Sequence, residues 1–156
     1  MAFRFRGQGA TEYLVLLAAV LIIALVSLAL LGFFPGMAGD AKISQSAAYW
    51  RSEAKPFSIL EHSYSGTTLT LVVQLKEATG SFKMTNISVA DSTNSSIPAG
   101  GKTFNAGETK TVYVYGIATD LVAGDMYEFP VNMTYTSPNN VEMLQYGAKN
   151  LVGKMT

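Results

Sequence analysis

The sequence predicts an α+β protein in which a long N-terminal hydrophobic α-helix precedes an antiparallel β-domain over residues 56–156. Two observations carry this prediction. Residues 13–34 form an almost uninterrupted apolar run, which favours a helix long enough to cross a bilayer. Beyond Pro56, apolar and polar residues alternate, which is the period of half-buried strands.

Composition excludes several function classes. The chain has 156 residues, 49% of them hydrophobic, and a mean hydropathy of +0.24, much of it concentrated in the apolar run. The formal net charge of +0 shows no excess of basic residues of the kind that binds nucleic acid, so nucleic acid is not expected as a partner. With no cysteine and one histidine, thiolate metal sites, thiol nucleophiles and most zinc and triad chemistry are removed.

Within the apolar run, the only polar side chains are the Tyr13 phenol and Ser27. As a helix it would span about 33 Å at 1.5 Å per residue, enough for a bilayer core. Arg4 and Arg6 precede it, which predicts a cytoplasmic N-terminus with the remainder outside. A single-pass membrane anchor fits this pattern. A secretory signal cleaved after Ala38 fits less well, because its apolar region usually covers only about 7–15 residues.

The stretch RGQGATE, residues 6–12, places a basic residue, a glycine and a short polar run directly before the apolar helix. It resembles the class III signal of archaeal type IV prepilins, whose peptidase cuts on the cytoplasmic side and leaves the helix on the mature protein. That family has Gln first, Glu fifth and Leu ninth after the cut, and here these are Gln8, Glu12 and Leu16. Ala10 stands where the family usually has Ser.

The resemblance covers the N-terminal third of the chain and implies processing by a prepilin peptidase at Arg6, Gly7 and Gln8. Residues 1–7 would then be a cleaved leader and residues 8–55 an assembly helix. The family further implies a homopolymeric surface filament of the adhesion type, an assembly ATPase and a membrane platform protein. Before assembly the subunit would lie in the cytoplasmic membrane.

Glu12 has a physical role in such a polymer. A carboxylate in an apolar helix costs about 2.5–3.5 kcal/mol at the bilayer centre and less near the interface. We expect Glu12 in the first helical turn, where the helix dipole favours it. After cleavage, the α-amino group of Gln8 on a neighbouring subunit would pair with it. Any axial slip would leave two unpaired buried charges, so the pair would set the assembly register. The simpler interpretation is a solvated N-terminal charge.

The residues after Glu12 are apolar on every side of the predicted helix, which suits burial among other helices or in lipid. The filament core is predicted to include the first of them: Tyr13, Leu14, Leu16 and Leu17.

The sequence after the apolar run contains helix-weakening residues. Pro35 removes a hydrogen bond and Gly36 adds backbone freedom, which predicts a kink or short break within residues 35–39. Asp40 would cap a resumed helix.

An amphipathic helix is predicted over residues 40–54. Its apolar residues Ile43, Ala47, Trp50 and Ala54 share one face. We expect Ile43 and Trp50 to pack this helix against the head.

The head contains several segments with strand periodicity and turn residues between them, which favours an antiparallel sandwich or a small barrel. The predicted strands are 57–64, 67–76, 82–89, 109–116, 127–135 and 141–146. Pro130 predicts an edge position or a bulge in its strand. The stretch NAGETKTVYVYG, residues 105–116, resembles a turn and strand of immunoglobulin-like head domains in archaeal surface filaments. The resemblance implies that residues 56–156 form an immunoglobulin-like antiparallel β-sandwich.

Sequons begin at Asn86, Asn94 and Asn132, which makes these asparagines candidate N-glycosylation sites. Asn132 is predicted on the outward face of its strand and Asn94 in a loop. Unmodified polar residues on solvated strands are the alternative.

No catalytic site, cofactor or metal site is expected. His62 is alone in a strand-like segment, and Asp120 and Asp125 offer too few carboxylates for calcium. The function predicted is therefore a structural pilus-like filament subunit. The alternatives are a membrane-anchored extracellular binding domain and a subunit of an archaellum-like motility filament.

Overall fold

The computed structural model describes residues 8–156, with only the backbone described for Gln8 and for residues 33–36. One long N-terminal apolar helix is followed by antiparallel β-sheets, so the fold is α+β. The chain divides after Asp40 into two compact units. The predicted leader, including Arg6 and Gly7, lies outside the described residues.

Helix α1 spans Gln8–Ala48, and a π-helical turn, Tyr49–Glu53, follows it. The helical assignment continues through Pro35 and Gly36, so the helix has no break there. Asp40 lies within α1, and the prediction that it caps a resumed helix is wrong. The physical reason is that an interior proline costs about 3 kcal/mol and can bend a helix without ending it. A kink stays a prediction.

The strands are β1 Phe57–Ser65, β2 Thr68–Leu75, β3 Ser81–Val89, β4 Lys102–Asn105, β5 Thr109–Val114, β6 Met126–Phe129, β7 Val131–Thr136, β8 Glu142–Tyr146 and β9 Leu151–Lys154. Buried residues alternate with more exposed ones along β2, β6 and β7, as the period of two requires.

These strands form a three-stranded sheet in the order β1-β2-β5, a four-stranded sheet in the order β4-β3-β7-β8 and a two-stranded sheet of β6 and β9. All the strand pairs are antiparallel. The buried apolar side chains of the three sheets join one cluster, to which Leu71, Met133 and Leu151 each contribute from a different sheet. The cluster includes aromatic rings: Phe57 packs in T-shaped arrangements against Phe104 and Tyr135, at centroid distances of 5.2 and 5.4 Å.

The segment predicted as one strand, residues 127–135, is two strands of different sheets. Pro130 separates β6 from β7, because it has no N–H to continue a ladder. Its carbonyl accepts a hydrogen bond from the Ala90 N–H at 3.2 Å. The alternation of the segment was nevertheless predicted correctly, since Tyr127 and Tyr135 at its two ends are both buried.

Candidate functional site: the exposed apolar helix

The apolar part of α1 exposes its side chains on every side. Residues 9–32 are all exposed, including the predicted core contacts Tyr13, Leu14, Leu16 and Leu17. Helix α1 is long and apolar enough to cross a membrane, although a signal sequence would pass the same test. A surface of this kind requires a covering of lipid or of other apolar helices.

The polar groups on this part of the helix have different roles. The Ser27 Oγ donates to the Ile23 carbonyl at 2.8 Å, so the helix itself satisfies this hydroxyl. Glu12 is exposed and lies four residues after Gln8, where the described part of α1 begins. Its place in the first helical turn stays a prediction.

Residues 41–53 are joined to the C-terminal strand through Ser46. Its Oγ donates to the Asn150 carbonyl at 2.8 Å and accepts from the Val152 N–H at 3.0 Å. Ser46 is buried, so a single hydroxyl satisfies two backbone groups away from water. The Tyr49 hydroxyl accepts from the Ala148 N–H at 2.9 Å and extends this attachment. Sequence reasoning missed both polar contacts, because their partners lie about a hundred residues away.

Trp50 anchors the same segment in the core with only 1% of its surface exposed. Its ring lies against Gly147, where an added Cβ would come within 2.6 Å of the indole. The Tyr49 ring meets the indole edge-on at a centroid distance of 5.1 Å. Ile43, the second predicted packing residue, is half-buried. In the described chain, the Trp50 Nε1 has no hydrogen-bond partner.

An ion pair supports the attachment at the surface. The Lys42 Nζ lies 3.2 Å from Glu128 Oε2, and the Asn150 amide donates to Glu128 Oε1 at 3.2 Å. These hydrogen bonds lower the pKa of Glu128, with that from Lys42 contributing most. Because both charged side chains are largely exposed, the pair contributes about 0–1 kcal/mol.

Two sequons pair with each other across the four-stranded sheet. In the ladder between β3 and β7, Asn86 faces Thr134 and Ser88 faces Asn132. Each sequon asparagine therefore lies opposite the hydroxyl residue of the other sequon. Asn86 and Asn132 are half-buried, whereas Asn94 is exposed in the segment before β4.

His62 lies next to a buried tyrosine. Its Nδ1 is 2.5 Å from the Tyr127 hydroxyl. Burial, and secondarily the positive charge of Arg51, lower the pKa of His62, while burial raises the pKa of Tyr127 to about 12. An added Cβ at Gly153 would come within 2.5 Å of the tyrosine oxygen, so the pair is tightly enclosed. In the described part of the chain no three His, Asp or Glu side chains cluster as metal ligands.

The sequence matches no protein-family model and no curated protein.

Proposed function

We propose that the chain is a structural subunit of an archaeal type IV pilus-like surface filament that polymerises through α1. The observation that carries the proposal is the uninterrupted exposure of residues 13–32, the described part of the apolar run that follows Glu12. An isolated helix with this surface is not stable in water, and parallel copies of it would cover one another on all sides.

The polar residues at the start of the helix favour assembly over simple anchoring. Cleavage after Gly7 would place a positively charged α-amino group on Gln8. Glu12 of a neighbouring copy would supply the opposite charge within a dry helix bundle. An anchor in lipid has no need of this carboxylate, whereas a polymer uses it to exclude axial slips.

The head completes the proposed subunit. We propose that its sheets form an immunoglobulin-like sandwich that faces solvent and mediates adhesion. The attachment through Ser46 and Trp50 would tie residues 41–53 to the rest of the head. The sequon asparagines Asn86, Asn94 and Asn132 would lie on the outside of the filament as glycosylation sites.

The proposed partners follow from the steps by which such a subunit is inserted, processed and assembled. It would enter the cytoplasmic membrane through α1, be cut by a prepilin peptidase, and be extracted by an assembly ATPase and a membrane platform protein. Copies of the same chain would then replace the lipid around the helix. The membrane-compatible length and composition of α1 also support a second candidate, a single-pass anchor that carries an extracellular binding domain.

The mature N-terminus and the state of assembly test these functions together. The full-length gene would be expressed in an archaeal host with a prepilin peptidase, and surface material would be analysed by N-terminal mass spectrometry and electron microscopy. Filaments whose subunits begin at Gln8 support the proposal. A retained Met1 without filaments supports the anchor, and a start near Asp40 supports a secreted domain. An archaellum-like filament would be distinguished by rotation of the cell body.

A further inference from the structure

The end of the four-stranded sheet carries an unexplained apolar surface. Tyr146 is 69% exposed on β8, and Leu144, two residues earlier on the same face of the strand, is also exposed. Among the described strands, only β7 pairs with β8, so the outer edge of β8 is open. An open edge with apolar side chains promotes aggregation unless something covers it.

The strand register identifies what lies beside this edge. Asn132 on β7 is directly opposite Tyr146, and Thr134 of the same sequon is opposite Leu144. Directly opposite residues have their Cβ atoms about 4.5–5.5 Å apart and share one face of the sheet. A sugar on the Asn132 amide would therefore begin beside the Tyr146 ring.

The same relationship recurs at a second sequon. An isolated bridge joins Ser95 to Val114, and the Tyr115 N–H donates to the Asn94 carbonyl at 2.7 Å. Asn94 is thus the cross-strand neighbour of Tyr115, whose ring is exposed. The Tyr113 ring lies 6.4 Å from it at an interplanar angle of 15°, which extends the aromatic surface.

The third sequon lacks this arrangement. Asn86 lies opposite Thr134, and no aromatic residue pairs with it in the described ladders. Because Asn86 and Asn132 are diagonal neighbours, with Cα atoms about 7–8 Å apart, sugars on both would crowd each other. The chain therefore offers two asparagines with a neighbouring tyrosine and one without.

We propose that the rings of Tyr146 and Tyr115 stack against sugars attached to Asn132 and Asn94 respectively. The sugar on Asn132 would then cover the apolar surface at the edge strand β8. The inference rests on the proposed function, because it requires an extracellular head. The attached sugar would be a pyranose. The C–H groups on one face of such a ring carry partial positive charge, which matches the negative face of a tyrosine ring. Their contact also removes apolar surface from water.

The sugar would be transferred to the asparagine from an activated donor, a lipid-linked sugar phosphate. A bond forms between the asparagine Nδ2 and C1 of the sugar. The bond from C1 to the phosphate oxygen breaks, the phosphate leaves with the electron pair, and the amide nitrogen loses one proton. Tyr146 and Tyr115 take no part in this chemistry and act only by positioning the attached ring.

A double-mutant cycle tests whether the Tyr146 ring stacks against the sugar on Asn132. Full-length chain from an N-glycosylating archaeal host would be dispersed in detergent, and the thermal unfolding of its head would be followed by circular dichroism. We expect Asn132→Gln and Tyr146→Leu each to lower the Tm by about 4 °C, and the double variant to lower it no further. Asn86→Gln is the matched control and should not lower the Tm, because no tyrosine lies opposite Asn86.

The same variants made in a host without N-glycosylation provide the second arm. There Tyr146→Leu should not lower the Tm, because no sugar covers the ring. Additive shifts, or an equal loss in both hosts, would overturn the inference. Glycopeptide mass spectrometry of filaments that finds Asn132 and Asn94 bare would overturn it while leaving the proposed filament intact. Glycosylated subunits that never form filaments would instead overturn the filament function.

Discussion

The side-chain amide of Gln145 makes with Phe57 the pair of hydrogen bonds that the backbone of a neighbouring strand would make. Its Oε1 accepts from the Phe57 N–H at 3.0 Å, and its Nε2 donates to the Phe57 carbonyl at 2.7 Å. Both residues are buried, and they belong to the four-stranded and the three-stranded sheet respectively. The glutamine thus joins the first strand of the head to the edge strand β8 without a backbone ladder between them.

Replacing Gln145 by leucine should destabilise the head. The N–H and C=O of Phe57 would stay buried without partners, at a cost of about 1–3 kcal/mol for each unsatisfied group. We expect the free energy of unfolding in urea to fall by about 2–6 kcal/mol. Gln74→Leu is the control, because Gln74 donates a single hydrogen bond at the surface, to the Gly107 carbonyl. Equal losses from the two variants would contradict the role of Gln145.

Ser46→Ala tests the attachment of residues 41–53. The variant removes the acceptor of the buried Val152 N–H and the donor to the Asn150 carbonyl. A loss of about 1–3 kcal/mol in unfolding free energy is expected, together with faster amide exchange at Val152.

Ser52→Ala provides the comparison for this experiment. The Ser52 hydroxyl donates to the Ala48 carbonyl within the helical segment and is exposed. Its removal should change stability by no more than about 0.5 kcal/mol. If Ser46→Ala behaved in the same way, the hydroxyl would contribute nothing to the attachment.

The sequence predicted the elements whose signal is local and missed those that depend on distant partners. Alternation predicted β2, because every second side chain of this strand enters the core. Strands β4, Lys102–Asn105, and β9, Leu151–Lys154, were missed because four residues give too short a period. Gln145 lay in a predicted strand, but nothing in its neighbours indicates a partner in β1.

For the candidate site too, the sequence predicted the features whose signal is local and missed those that depend on distant residues. Composition alone predicted the exposed apolar helix, since an all-round apolar surface needs no tertiary information. The heptad-like spacing also placed Trp50 on the face directed towards the head. Ser46 was not foreseen, because a serine in a helix is normally solvated and its two backbone partners come from the end of the chain. The pairing of the Asn86 and Asn132 sequons required the strand register.

His62 predicts a pH dependence of stability. Because its folded-state pKa is below the unfolded value of 6.5, the folded head binds fewer protons than the unfolded chain at mildly acidic pH. The stabilisation is present above about pH 6.5 and is lost as the pH falls below that value towards the folded pKa. Urea midpoints measured from pH 8 to pH 5 should therefore decrease on the acidic side.

The variant His62→Gln should flatten this dependence, because it removes the titrating group while keeping a hydrogen-bonding side chain beside Tyr127. Tyr127→Phe should retain a decrease, since His62 stays buried without its hydroxyl neighbour. A decrease in His62→Gln as steep as in the unmodified chain would assign the effect to other groups. Glu128 is not among them in this window, because its pKa is lowered and its stabilising contribution is therefore constant above about pH 4.5 and is lost only below that value.

Glu12→Ala separates insertion into a membrane from assembly of a filament. Removing a carboxylate from an apolar helix favours insertion, so the variant should fractionate with membranes at least as well as the unmodified chain. In the polymer, the α-amino group of each mature Gln8 would lose its partner, and leaving such a charge unpaired in a dry bundle costs about 3–5 kcal/mol. Filament yield, counted by electron microscopy, should therefore fall to a small fraction.

Ser27→Ala is the matched control for Glu12→Ala, because the Ser27 hydroxyl lies on the same helix and is satisfied by the Ile23 carbonyl. It should assemble normally. Glu12→Gln would then separate charge from hydrogen bonding: the amide keeps an acceptor for the α-amino group but supplies no negative charge. Reduced assembly in Glu12→Gln, with normal assembly in Ser27→Ala, would identify the charge as the feature that sets the register. Normal filaments from Glu12→Ala would contradict that role.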